Sequence, residues 1–440
     1  MRPPIRKGGL FAALSLFFLA LPTTAFADEL DTGDTAWILV STALVLFMTL
    51  PGLALFYGGL VRTKNVLSVL MQCIALSGVV TVVWTLFGYS LAFDTTGMVE
   101  GSVGLHSFVG GLGKSFLAGI TGDTLTGTIP EILFVTFQMT FAIITPGLIV
   151  GAFAERMKFS AMMLFSMAWL VLVYLPICHM TWGGPGGYFA DLGVLDFAGG
   201  IVVHITAGVA ALVACLVIGP RQGYPHAPML PHNMTMCYIG TGMLWVGWYG
   251  FNGGSALGAN GGAAMAITVT QISAATAACV WMAIEWFRFG KPSVLGIATG
   301  AIAGLAAVTP ASGFIGPVGG LAIGLASGFV CYYAAAIIKQ QIGYDDSLDV
   351  FGVHGVGGFV GTLGVAFFAH ERFGGNLGAL DVAAQFGTQF SAAAITIVYT
   401  AAVSWAILVL VDAMVGLRVT DDEERAGLDL SLHGESGYDY

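Results

Sequence analysis

Residues 196–210 read DFAGGIVVHITAGVA, the start of an apolar run long enough to cross a bilayer, yet a histidine stands where the bilayer centre falls. The pattern returns at residues 346–361, DSLDVFGVHGVGGFVG. In both, an aspartate precedes a histidine by eight residues: Asp196 and His204, then Asp346 and His354. At 1.5 Å per residue each histidine lies about 12 Å deeper than its aspartate. Entering from opposite faces of a hydrocarbon core about 30 Å thick, the two rings arrive near the midplane.

The rest of the chain is that of an integral membrane protein. Of 440 residues, 57% are apolar and 9% charged, against roughly 25% charged in soluble domains. After the N-terminal region come eleven apolar segments, near residues 37–59, 66–93, 130–153, 159–182, 197–219, 234–252, 263–287, 293–308, 314–339, 348–369 and 388–415. Each is near the roughly 20 residues a spanning helix needs, and helices satisfy their own backbone in lipid. The expected fold is an all-α membrane protein of eleven transmembrane helices, with inverted five-helix repeats plus a final helix. Five helices per half is an odd number, so the second half is inverted relative to the first, and the site is expected at the repeat interface. Gly316, Gly320, Gly324 and Gly328, at four-residue spacing, predict close helix packing.

Residues 1–27 are expected to be a signal peptide: Arg2, Arg6 and Lys7, then LFAALSLFFLAL, then small residues at Ala25 and Ala27. Residues 28–415 form the membrane domain and residues 416–440 a polar tail. Lys and Arg collect on cytoplasmic loops. With the N-terminus outside, Arg62, Lys64, Arg156, Lys158, Arg221, Arg288, Lys291, Lys339, Arg418 and Arg425 fall inside, and only Lys114 and Arg372 outside. The tail, acidic and short, suits docking of a cytoplasmic partner and is too small for a catalytic domain. No basic stripe points to nucleic acid. Cys73, Cys178, Cys215, Cys237, Cys279 and Cys331 lack CxxC spacing and read as apolar fillers.

An ionisable residue inside a membrane is a functional hypothesis by default. A desolvated histidine pair is neutral, one ring donating the hydrogen bond the other accepts. Such a pair holds a small hydrogen-bonding molecule or relays a proton. The competing readings are a packing role, haem ligation and zinc. Haem lacks the paired histidines on each helix, and zinc lacks a third and fourth ligand at suitable spacing, so neither a cofactor nor a metal is expected. Asp196 and Asp346 read first as helix N-caps. An intramembrane enzyme is disfavoured, since no nucleophile, base and oxyanion donors fall in recognisable order.

The segments FMTLPGLALFYGGLVRTKNVLS, GLIVGAFAERMKF, HMTWGG, LDFAGGIVVHI, GWYGFNGGSA, KPSVLGIATGAIAGLAAVTPA, DVFGVHGVGG and GLRVTDDEERAGLDLSLHGESGY are similar to the ammonium transporter family, the Amt branch of the Amt/Mep/Rh proteins. The resemblance spans about Trp37 to Tyr438. It implies a homotrimer with one pore per subunit, surrounded by membrane lipid in a bacterial cytoplasmic membrane, with a PII-type regulatory protein as the tail's partner. It makes His204 and His354 the twin histidines of the pore, Phe137, Trp182 and Ser255 an outer ammonium site, and Phe141 and Phe251 a stacked gate. Asp196 matches the family's buried aspartate that shapes the outer site, with Asp346 as a further support. An aromatic face attracts a compact cation and a hydroxyl accepts its hydrogen bond. The implied function is recruitment and deprotonation of ammonium, then conduction of ammonia, with or without a separately relayed proton. A bare ion in a low-dielectric medium costs of order 20 kcal/mol, so potassium, which has no proton to lose, is rejected. Met139 and Thr140 stand where smaller residues are common in the family, and Thr299 where serine often stands. The alternatives are an ammonium sensor signalling through its tail and a neutral-gas channel of the Rh type; the outer cation site argues against the second.

Overall fold

The computed structural model describes residues 29–438, so the signal peptide expected at residues 1–27 lies outside the described residues. The chain passes through eleven apolar helices: α1 (Thr32–Leu60), α2 (Thr63–Phe93), α3 (Glu131–Phe153), α4 (Phe159–Trp182), α5 (Gly200–Ile218), α6 (Met234–Gly254), α7 (Gly261–Phe289), α8 (Val294–Val308), α9 (Pro317–Ile342), α10 (Phe351–Phe368) and α11 (Val382–Val415). Among the described residues nine are long and apolar enough to cross a bilayer; α6 and the 15-residue α8 complete the expected set. The strands found among the described residues form a small hairpin in the 94–130 loop, Leu125–Thr126 against Ile129–Pro130.

Polar caps set the helix starts. Asp31 accepts from Asp34 N at 2.9 Å, Asn233 from Met236 N at 2.8 Å and Ser293 from Gly296 N at 2.9 Å, each pairing an amide that the helix itself leaves open. Asp381 does the same at Ala383 and Ala384. It starts α11 at Val382, ahead of the apolar pattern, because a cap and not hydropathy decides where the first turn closes. Of the glycine series, Gly324 and Gly328 press α9 onto α7: a methyl group there would lie 2.6 Å from Ser273 O and 2.7 Å from Val280 Cβ. Gly316 instead precedes the helix, which opens at Pro317.

One face of the bundle, termed here the tail face, is tied by a buried ion network. Glu155 accepts from Arg62 Nε at 2.9 Å and pairs with Arg221 at 3.2 Å; Arg221 also grips Asp345 at 2.7 and 2.9 Å. These residues come from four different interhelical loops, so the network locks the connections together. Burial works against both carboxylates, but Arg221, with Arg62 on Glu155, overrides it and holds them below the usual carboxylate range. Arg156, fully buried, meets Asp345 O at 2.6 Å, Ser347 Oγ at 2.7 Å and Gly219 O at 2.8 Å.

The tail folds back onto this face. Its helix Asp421–Ala426 carries a capping box at Thr420 and Glu423. Glu424 meets Arg418 at 2.7 Å and Gln222 N at 2.7 Å. Asp429 accepts from Leu67 N at 3.0 Å and Ser68 N at 2.7 Å, pairing amides in the first turns of α2. The tail expected to offer itself to a partner thus makes specific contacts with its own chain.

Candidate functional site

The two histidines sit in matching irregularities. His204 lies in the π-helical turn Gly200–Ile205 that opens α5, and His354 in the π-helical turn Phe351–Gly355 that opens α10. Single π turns inside α-helices recur at functional sites, since the wider ring re-aims a side chain. The helices cross where neither carries a side chain: a methyl group on Gly208 would lie 2.2 Å from Gly355 Cα. That contact brings the rings together, with Nδ1 to Nδ1 at 3.3 Å and centroids 5.2 Å apart. Both nitrogens belong to buried rings, so the contact is a hydrogen bond only when one nitrogen carries the proton and the other does not.

The aspartates differ more than their spacing suggests. Asp196 accepts from four successive amides, Gly199 and Gly200 through Oδ1 at 3.0 and 2.6 Å, and Ile201 and Val202 through Oδ2 at 2.8 and 3.0 Å. Its carboxylate therefore closes the turn that carries His204, and its own carbonyl accepts the Trp182 indole N–H at 2.8 Å. Asp346 accepts one amide, Phe351 N at 2.8 Å, and its buried Oδ1 has no partner among the described residues. In this half Lys339 supplies the support: its ammonium donates to Asp346 O at 3.2 Å and pairs with the Asp349 carboxylate. Asp349 holds φ at 61°, a conformation uncommon outside glycine.

Three spaces line up along the pair. Around His204 and His354 lies a lumen of about 10 Å³, walled by Ile144, Leu148, Val203, Trp248, Phe251 and Ile302, close to the room one water-sized molecule needs. His204 stacks on Trp248, centroids 5.5 Å apart, and its Nε2 has no partner among the described residues. Phe141 and Phe251 stand with ring centroids 4.2 Å apart, both 1% exposed. On the other side of Phe141 is a cavity of about 180 Å³ lined by Phe134, Gln138, Phe141, Trp182, Phe197, Ser255 and Leu257. Ser255 donates to Phe251 O at 2.8 Å, which leaves its oxygen lone pairs to accept. Toward the tail face, a vestibule of about 210 Å³ brings His354 together with Thr299, Tyr224, Lys339 and Asp349.

Trp182 and Ser255 thus share one cavity. Phe137 does not line it; the ring is fully buried and meets Phe141 edge-on at 5.0 Å. Phe134 and Gln138 line it instead, and sequence reasoning missed both. One helical turn before Phe137 or one residue after it, they share its neighbourhood, and helical spacing was a signal that could have raised them. Lys339 and Asp349 were also missed as wall residues, although Lys339 is the lone charge near the end of an otherwise apolar stretch.

Residues 36–438 match the Ammonium Transporter Family. The chain is 47% identical over 417 residues to the ammonium transporter of Aquifex aeolicus, covering 94% of this chain and 96% of that one. It is 43% identical over 415 residues to the ammonium transporter of Bacillus subtilis, covering 93% and 99%. The fold is similar to the crystal structure of Saccharomyces cerevisiae Mep2, with a TM-score of 0.81, 33% identity, and coverage of 90% of this chain and 89% of that one.

Proposed function

The chain belongs to the ammonium transporter family, and from that premise we propose that ammonium is recruited in the Trp182 cavity, deprotonated there, and passed as ammonia along His204 and His354 to the tail-face vestibule. The observation that carries the reading is the 3.3 Å Nδ1 contact between two buried histidines, with an aromatic cavity on one side and an open vestibule on the other. Ammonium in the cavity meets the ring faces of Trp182 and Phe141 and donates to Ser255 Oγ. The Phe141–Phe251 pair blocks a hydrated ion, so a cation continues only by shedding water or a proton. Shedding water exposes the bare charge to a lumen with almost no polar lining, which costs far more than giving up a proton. Ammonia then fits the narrow space and hydrogen-bonds to His204 Nε2, which has no partner among the described residues.

Phe137 acts behind Phe141 as a brace for its ring, and Asp196 and Asp346 as supports of the two π turns. The tail face is cytoplasmic and the 94–130 loop lies outside. The chain works as a homotrimer in the bacterial inner membrane after removal of residues 1–27, and the tail answers to a PII-type protein.

The test is the current evoked by an ammonium pulse on proteoliposomes, with a potassium pulse as control and internal pH read in parallel. An ammonium-specific current, or alkalinisation without current, supports transport through the site, provided His204→Ala or His354→Ala removes the flux or its selectivity. Unchanged flux and unchanged potassium rejection in both variants refute the twin-histidine role.

A further inference from the structure

The eleventh helix stands outside the paired five-helix repeats, yet one of its side chains is bonded to both. Gln389 on α11 is fully buried and fills all four hydrogen-bonding positions of its amide. Its Oε1 accepts from Leu195 N at 2.8 Å and from Gln385 Nε2 at 3.2 Å. Its Nε2 donates to Leu195 O at 2.8 Å and to Thr362 O at 3.0 Å. A side-chain amide has two lone pairs and two N–H bonds, so this one is saturated. Gln385, one turn earlier, adds a bond from Nε2 to Gly193 O at 3.0 Å. Leu195 precedes the first turn of α5, where no helix supplies partners for its peptide groups. An irregular segment inside a helical membrane bundle needs them from elsewhere in the protein, and α11 provides them.

The held peptide leads directly into the pore. Leu195 O belongs to the peptide plane that enters Asp196, and on the far side Phe197 N donates to Pro310 O at 3.0 Å. Asp196 is thus clamped before and after. Its carbonyl fixes the Trp182 indole at 2.8 Å, its carboxylate closes the turn that carries His204, and the adjoining Phe197 lines the Trp182 cavity. Thr362, the remaining partner of Gln389, follows His354 by eight residues on α10. One side chain of α11 therefore joins the lead-in to His204 with the helix of His354.

We propose that Gln389 is a positioning residue for ammonium recruitment: through the Leu195 peptide it sets Asp196 and with it the Trp182 ring, and through Thr362 it keeps that assembly in register with α10. The proposal rests on the Trp182 cavity being the ammonium site. The test joins a spectrum to transport, using the full-length protein labelled with 5-fluorotryptophan. The Trp182 fluorine resonance is identified by its loss in Trp182→Leu, and ammonium flux in proteoliposomes is followed over a range of concentrations. Gln389→Met keeps the length of the side chain and removes all four bonds. It is expected to shift the Trp182 resonance and to raise the half-saturating ammonium concentration about tenfold, the size of one cation–π contact. Gln385→Ala, in which Gln389 keeps its bonds to Leu195 and Thr362, is expected to move both in the same direction by less. Ser404→Ala removes another buried bond of α11, the one from Trp169 Nε1 at 3.1 Å, and is expected to move neither, which separates positioning from general loosening of the helix. A Trp182 resonance unmoved in Gln389→Met, or in Gln385→Ala should the first variant fail to fold, overturns the proposal. So does an equal response in Ser404→Ala, or an unchanged half-saturation in Gln389→Met where Trp182→Leu raises it. A shifted resonance with half-saturation unchanged in both Gln389→Met and Trp182→Leu supports the clamp and refutes the cavity as the ammonium site.

Discussion

Replacing Asp196 with asparagine tests whether a buried carboxylate next to a pore acts by holding backbone or by taking up a proton. Four amides converge on it at 2.6–3.0 Å, and it is 6% exposed. Asparagine keeps one oxygen, able to serve Gly199 and Gly200, and turns an NH2 group toward the N–H groups of Ile201 and Val202. Two buried amides then lack acceptors at about 1–3 kcal/mol each, so the variant loses about 2–6 kcal/mol. Whole-domain stabilities are about 5–15 kcal/mol, so this is a large share. The turn that opens α5 would loosen, moving His204 and, through the Asp196 carbonyl, the Trp182 ring. The assay is thermal unfolding of the solubilised variant beside ammonium flux in proteoliposomes, both at neutral pH. Stability and flux are expected to fall together. A variant that melts like wild type refutes the backbone-holding argument; if it is also inactive, the carboxylate acts on the proton directly.

Gly208→Ala sets a methyl 2.2 Å from Gly355 Cα, an obstacle of backbone that no rotamer relieves, so overpacking of about 1–3 kcal/mol and loss of ammonium flux are expected; flux equal to wild type refutes the contact. The Glu155 and Asp345 carboxylates are held below their usual range, so their contribution is fully present above that range and is lost as pH falls through their depressed values. Glu155→Gln should cost about 1.5–3 kcal/mol at neutral pH by removing the charged acceptor shared by Arg62 and Arg221, with Asp345 still paired to Arg221, and its deficit against wild type should shrink in acid; a deficit that does not depend on pH refutes the ion network as its source. Asp429→Ala frees the Leu67 and Ser68 amides from the tail, and limited proteolysis should then cut the tail faster, whereas an unchanged rate places its anchorage elsewhere.

Hydropathy located all eleven helices because lipid imposes one rule on every span, and the ends that differed, such as Val382 and Pro317, were decided by single caps and a proline. The histidines were legible because a polar residue in an apolar run is conspicuous, and more so when repeated at the same offset. The outer site came from family likeness and was only partly assembled as expected: which of Phe134, Phe137 and Phe141 faces a cavity depends on helix rotation against neighbours, and an almost uniformly apolar α3 has no polar face to report it. The π turns left no mark in composition. Nor did the unequal roles of Asp196 and Asp346, whose local sequences look alike while the surrounding amides and Lys339 differ. The tail's acidity pointed outward to a partner, yet part of it is spent on Leu67, Ser68, Gln222 and Arg418 of its own chain.

The crossing at Gly208 and Gly355 has a further consequence. Two main chains in contact have no shorter distance to take up, so the calibre of the conduit at its histidines is a property of the scaffold, fixed when the halves dock. The Phe141 and Phe251 rings are side chains with rotamers to choose from, but the bore beneath them keeps its gauge whatever they do. Under the proposed function, passage is therefore throttled at one level and sized at another, and changes that speed the first are expected to leave the second to discriminate as before.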